Sequence, residues 1–221
     1  MKKNYKSNDY VPIGCEDCNG CCSCCTHMGD SIIQDPFDFW LFSNNMQIAG
    51  GGKITFEMLV SEDGPWELSF QDGLLLPNIK MVEEGRCPFL NKNGRCQIHN
   101  VRSGLCRLFP LGRQFIESEM YYVLLGGNLG CEKLKPPAKA GTEVLIRDWL
   151  GYDNIEDYEK FQILWHDIKV KASEYCAKLA KIEARDFQIE FLEEFYQKPY
   201  GKNFFKEFVE RFERSKIKKI F

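Results

Sequence analysis

Apolar positions recur at helical spacing over the longest stretch towards the C-terminal end of the chain. Ile155, Tyr158, Phe161, Leu164, Trp165 and Ile168 follow one another at short steps that keep one face buried, which predicts a long helix starting near Asp153. Shorter stretches predict helices around Glu143 to Leu150, from Ala184 to Gln197 and from Lys202 to about Lys216. The aromatic residues of these helices read as core. His166 reads as a structural residue among them, and Cys176, alone in an amphipathic helix, as a buried inert thiol.

Upstream of Lys135-Pro136-Pro137 the pattern changes to short apolar stretches separated by turn residues. Asp35-Pro36 supplies an N-cap and a first-turn proline for a helix over about 37 to 44. Ile54 to Val60 fits a short strand or helix, and Trp66 to Phe70 followed by Gly73 to Pro77 fits strand, turn and strand. Asn93-Gly94 predicts a hairpin that brings Cys87 and Cys96 together. Leu105 to Leu111 and Tyr121 to Leu125 predict a further strand pair. The expected fold class is therefore α+β: a polar, flexible arm over 1–14, a loop-rich metal-stapled region with short strands over 15–135, and a helical region over 142–221 packed against it.

Composition narrows the function. With a net charge of -3 over 221 residues the chain carries no overall basic footprint for nucleic acid. No apolar run is long enough to span a membrane, and the N-terminal stretch has basic residues without an apolar segment behind them, so a cytoplasmic protein is expected. The glycine runs IAGGGK and GGNLG lack the strand, turn and helix context of a phosphate-binding loop. The last helix, with Phe204, Phe205, Phe208 and Phe212 ahead of SKIKKIF, reads as a packed helix with a solvated basic end.

The chemistry is concentrated in cysteine. Of eleven cysteines, six fall between Cys15 and Cys25 in the string CEDCNGCCSCC. Vicinal pairs are poor disulfide partners, so in a reducing compartment the cluster reads as metal ligands. Two registers of C-x-x-C-x-x-C-C are open, Cys15-Cys18-Cys21-Cys22 and Cys18-Cys21-Cys24-Cys25. Cys87, Cys96, Cys106 and Cys131 are the downstream candidates, and four plus four would fill two four-thiolate sites or one iron–sulfur cluster and one zinc. His27 and His99 lie close enough in sequence to replace a thiolate. Arg107 and Arg113, either side of Phe109-Pro110, would offset thiolate charge or bind an anion.

The ordered set CNGCCSCC, GDSIIQDPFDFW, DGLLLPNIKM and GRCPFLNKNGRCQIHNVRSGLCRLFPLGRQF, with a later Cys131, resembles the YkgJ-like cysteine-cluster family of zinc- or iron-chelating CxxCxxCC proteins over about residues 15 to 135. The resemblance favours the second register, which implies Cys18, Cys21, Cys24, Cys25, Cys87, Cys96, Cys106 and Cys131 as metal ligands and leaves Cys15 and Cys22 as spares. The implied cofactor is an iron–sulfur cluster (such as 4Fe-4S), zinc or both, in a structural, redox or metal-handling role. Larger relatives are associated with flagellin lysine N-methylation, so the alternative is an S-adenosylmethionine-dependent enzyme acting on a protein substrate. Where the family has Arg-Pro this chain has Arg102-Ser103, a change expected to loosen the turn before Cys106.

Overall fold

The computed structural model describes residues 3–13, 22, 25–47, 51–125 and 143–221. Its fold is α+β, with seven helices and three small antiparallel strand groups among the described residues. β1 (Asn4–Tyr5) adds to one edge of a sheet completed by β5 (Leu111–Ile116) and β6 (Glu119–Leu124), in the order β1-β6-β5. β2 (Tyr10–Val11) pairs with β7 (Val144–Leu145), and β3 (Trp66–Gln71) pairs with β4 (Leu74–Ile79).

The N-terminal residues differ from the loose arm expected of them. Tyr5, Val11 and Ile13 are buried, and the backbones of Tyr5 and Val11 pair with strands far away in sequence. Alternating apolar residues among polar ones were enough to dock each two-residue strand, a pattern too short to stand out in the sequence. The β7–β2 ladder leads directly into α4 (Ile146–Leu150), which closes on Gly151 in the left-handed conformation that glycine adopts without strain (φ 64°).

The first helix, α1 (Pro36–Asn45), starts where the Asp-Pro pair places it. Asp35 accepts from the Asp38 backbone N–H at 2.9 Å while Asp38 accepts from the Asp35 N–H at 3.1 Å, so the cap is reciprocal. α2 (Phe56–Leu59) resolves the ambiguous Ile54–Val60 stretch as a helix capped by Thr55. Leu105 to Leu108 lie in α3 (Gly104–Leu108) rather than in a strand. The expected strand begins only at Leu111, after the chain has turned through a cis Phe109–Pro110 bond. The reason is tertiary: the Gly104 N–H is drawn onto Asp38 Oδ1 at 2.7 Å, which fixes a helical start.

The C-terminal helices match their periodicity. α5 (Ile155–Cys176) buries Ile155, Tyr158, Phe161, Trp165 and Ile168, while Leu164 is half-buried against the same core. α6 (Lys181–Leu192) runs into a single π-helical turn at Glu193–Gln197, and α7 (Phe204–Arg214) turns Phe204, Phe208 and Phe212 inward. Phe208 meets Phe161 edge to face at 4.8 Å and packs on Phe195, so α5, α7 and the π-helical turn share one aromatic seam. Buried residues from Tyr5 to Ile217 form one cluster.

Asp38 is fully enclosed, and burial together with the neighbouring Asp35 charge pushes its carboxyl well above the usual carboxylate range. Asp38→Ala strips acceptors from two buried N–H groups, those of Asp35 and Gly104. The expected cost is about 2–4 kcal/mol, read as a lowered denaturation midpoint in urea. A change below about 0.5 kcal/mol would show that α1 and α3 are held by packing alone.

Candidate metal centre

Three short segments converge on a small enclosed cavity of about 50 Å³. Cys25, Cys87, Cys96 and Cys106 all line it, each half-buried. Its wall is completed by apolar groups including Ile32, Ile79, Met81 and Phe89.

Backbone pairing delivers each thiol. The end of the cysteine cluster runs antiparallel to residues 85–87: His27 donates to the Gly85 carbonyl at 2.6 Å, Thr26 bridges Arg86, and Cys87 donates to the Cys25 carbonyl at 2.8 Å. Cys25 itself donates back to the Cys22 carbonyl at 2.8 Å. The expected Asn93-Gly94 hairpin survives as a turn without flanking strands. Asn91 Oδ1 accepts from the N–H groups of both Asn93 and Arg95 at 2.9 Å, an Asx turn that competes with ladder pairing. One isolated bridge, Leu90 to Cys96, remains and still places Cys96 on the same cavity as Cys87. Cys106 arrives on α3, whose first N–H is tethered to Asp38.

Two donors on the cavity wall have no hydrogen-bond partner among the described residues: Arg102 Nε and Ser103 Oγ. Ser103 stands at the N-cap of α3, yet its hydroxyl makes no capping bond and is buried on the cavity side. Its φ of -59° lies in the range a proline would impose, so the serine keeps the tight turn that its sequence suggested it would loosen. Buried donors without partners are expensive, and a centre of negatively charged thiolates is the class of group that would satisfy them. The donor set therefore fits a thiolate-bound metal.

His99 also lines the cavity, but Arg102 Nη1 sits 2.9 Å from its Nε2. Because a guanidinium can only donate, Nε2 is the acceptor and its lone pair is engaged. Burial and then the charges of Arg102, Arg107 and Arg95 hold the imidazole below its usual range, so it stays neutral. His27 is exposed and is not among the lining residues, nor is Cys22.

The two arginines expected beside the thiols have different surroundings. Arg107 donates to the carbonyls of Arg102 at 3.1 Å, Leu150 at 3.3 Å and Asn100, and lies over the Tyr152 ring, tying the segment before Cys106 to α4. Arg113 faces away from the thiols, onto Gln162 and Tyr158. Cys176 is buried in α5, accepting a bond from Gln188 Nε2 at 3.2 Å, and His166 stacks on Phe115 at 3.9 Å. Of the predicted ligands, Cys18, Cys21, Cys24 and Cys131, with the spare Cys15, lie outside the described residues. Among the described residues no three His, Cys, Asp or Glu side chains are gathered as the shell of a single ion. Arg102 and Ser103 were not legible as wall donors in the sequence beyond their position just before Cys106.

Residues 15–122 match the model of a family named CxxCxxCC and described as a "putative zinc- or iron-chelating domain". The match supports metal binding by the CxxCxxCC domain, with zinc or iron as the metal. No curated protein and no solved structure matches the chain. Among the described residues no helix is long and apolar enough to cross a membrane.

Ser103→Ala in chelator-treated protein removes a buried hydroxyl that has no partner there. The melting temperature is expected to hold or rise, by the equivalent of at most about 1 kcal/mol. A loss of more than about 1 kcal/mol would show that the hydroxyl is already satisfied without metal.

Proposed function

We propose that the CxxCxxCC domain binds an iron–sulfur cluster, zinc or both through Cys18, Cys21, Cys24, Cys25, Cys87, Cys96, Cys106 and Cys131. The observation that carries this reading is the convergence of Cys25, Cys87, Cys96 and Cys106, from three separate segments, on one small cavity. Their chain neighbours Cys24 and Cys21 would enter the same neighbourhood through the C-x-x-C-C spacing. Thiolate sulfur suits both zinc and iron–sulfur clusters, and soft ligands discriminate against magnesium and calcium.

The surroundings are those of an anionic centre. Arg95, Arg102 and Arg107 are close enough to depress the His99 imidazole, and this positive field would offset the charge of a four-thiolate site. The apolar wall limits water access to the sulfurs, which favours a retained centre with a structural or redox role over an open site for exchange. Because the irregular segments 85–106 are held by isolated bridges and turns, bound metal would contribute substantially to their order.

Anaerobic purification followed by metal and sulfide analysis tests the proposal. At least one equivalent of zinc or iron per chain is expected, and a brown chromophore with inorganic sulfide would identify the cluster. Cys87→Ser and Cys106→Ser are each expected to reduce bound metal by half or more, while Cys176→Ser leaves it unchanged. Full metal loading in both of the first two variants would refute the ligand set.

A further inference from the structure

A second cavity, of about 400 Å³, shares the Ile32 side chain with the thiol cavity, but its polar lining is made of groups that the metal centre does not use. One wall is a single stripe of α5. Gln162, Trp165, His166 and Lys169 stand at the three- and four-residue steps that put side chains on one helical face. The facing wall comes from β5 and the turn before it, with Phe109, Leu111 and Phe115 as apolar lining and Arg113 as its cation. Asp35 closes the floor.

The charges do not balance within this cavity. Arg113 is matched: it donates to Gln162 Oε1 and Tyr158 Oη, and the same Gln162 donates to Asp35 Oδ2 at 2.6 Å, which places Asp35 in the network as its counter-charge. Burial works against the Arg113 charge, but Tyr158 and Asp35 hold the guanidinium protonated. Lys169 has no such arrangement and forms no ion pair among the described residues. Burial and then the Arg113 charge hold its ammonium below the usual lysine range, with Asp35 and Asp72 pulling weakly the other way. Beside it His166, stacked flat on Phe115, is kept neutral by burial and by Lys169 itself. It offers an imidazole N–H rather than a second charge.

We propose that this cavity is a binding site for a small carboxylate with an apolar body, the carboxylate held by Lys169 with His166 as a neutral donor and the body lying against Phe109, Leu111 and Phe115. One unmatched cation calls for one negative charge. A phosphate dianion would need a second charge, and the Arg113 charge is already engaged, through Gln162, with Asp35. The volume suits a ligand of this size. The site shares no polar group with the thiol cavity, so it stands or falls independently of the metal.

Calorimetric titration of the full-length, metal-loaded protein with benzoate, benzamide and inorganic phosphate tests this. Saturable benzoate binding is expected, with benzamide, its neutral isostere, weaker by about tenfold or more. Lys169→Met and Lys169→Gln should each weaken benzoate by a similar factor while retaining the wild-type melting profile. Two variants guard against one failing to fold. Equal affinity for benzoate and benzamide, undiminished benzoate binding in either folded variant, preference for phosphate, or no saturable benzoate binding would each overturn the proposal.

Discussion

Asp35 and Asp38, two carboxylates buried at the start of α1, hold together parts of the chain that would otherwise have little reason to meet. Their reciprocal cap fixes the first turn of α1. Asp38 then reaches across to the Gly104 N–H and so sets the position of α3, while Asp35 accepts from Gln162 in the middle of α5. There is little room for adjustment: a Cβ at Gly104 would stand 2.6 Å from the Tyr158 hydroxyl. The helix carrying Cys106 and the long C-terminal helix are therefore indexed to the same two side chains. Such a pair is costly to bury, and the raised Asp38 titration is the sign of that cost. It is tolerated because its acceptors meet backbone and amide donors inside the protein.

Around this anchor the protein divides its labour by type of structure. The helical layers supply a large aromatic core. The thiol-bearing segments are short, irregular pieces that pair with each other through single bridges. Their apolar wall, from Ile32, Ile79 and Phe89, is continuous with the main core, so the cavity is shaped from behind by rigid packing and from the front by turns. Buried donors at Arg102 and Ser103 complete an environment suited to negatively charged sulfur.

Much of this was legible in the sequence, for identifiable reasons. Asp35-Pro36 is both a capping and a first-turn signal, and the Ile155 to Ile168 stripe is long enough for periodicity to average out chance; both gave the elements found. Cys87 and Cys96 were placed together by the Asn93-Gly94 turn even though the strands did not form, because the turn alone sets the approach. The two-residue strands at Asn4–Tyr5 and Tyr10–Val11 were not legible, since their partners lie more than a hundred residues away. The helical state of Leu105 to Leu108 depends on a tertiary bond to Asp38, which no local pattern reveals. Arg113 looked like a companion of the thiols because it is near Cys106 in sequence, but after the turn at Phe109–Pro110 it meets Gln162 and Tyr158 of α5 instead.

The central claim is that cysteines from separate segments share one metal-bound centre. Alkylation of each thiol, followed by mass spectrometry in native buffer and after metal removal by a chelator, addresses it directly. Cys25, Cys87, Cys96 and Cys106 should be protected together in native protein and become reactive together when metal is lost, with buried Cys176 slow in both states. Independent labelling of the four thiols, unaffected by the chelator, would contradict the account.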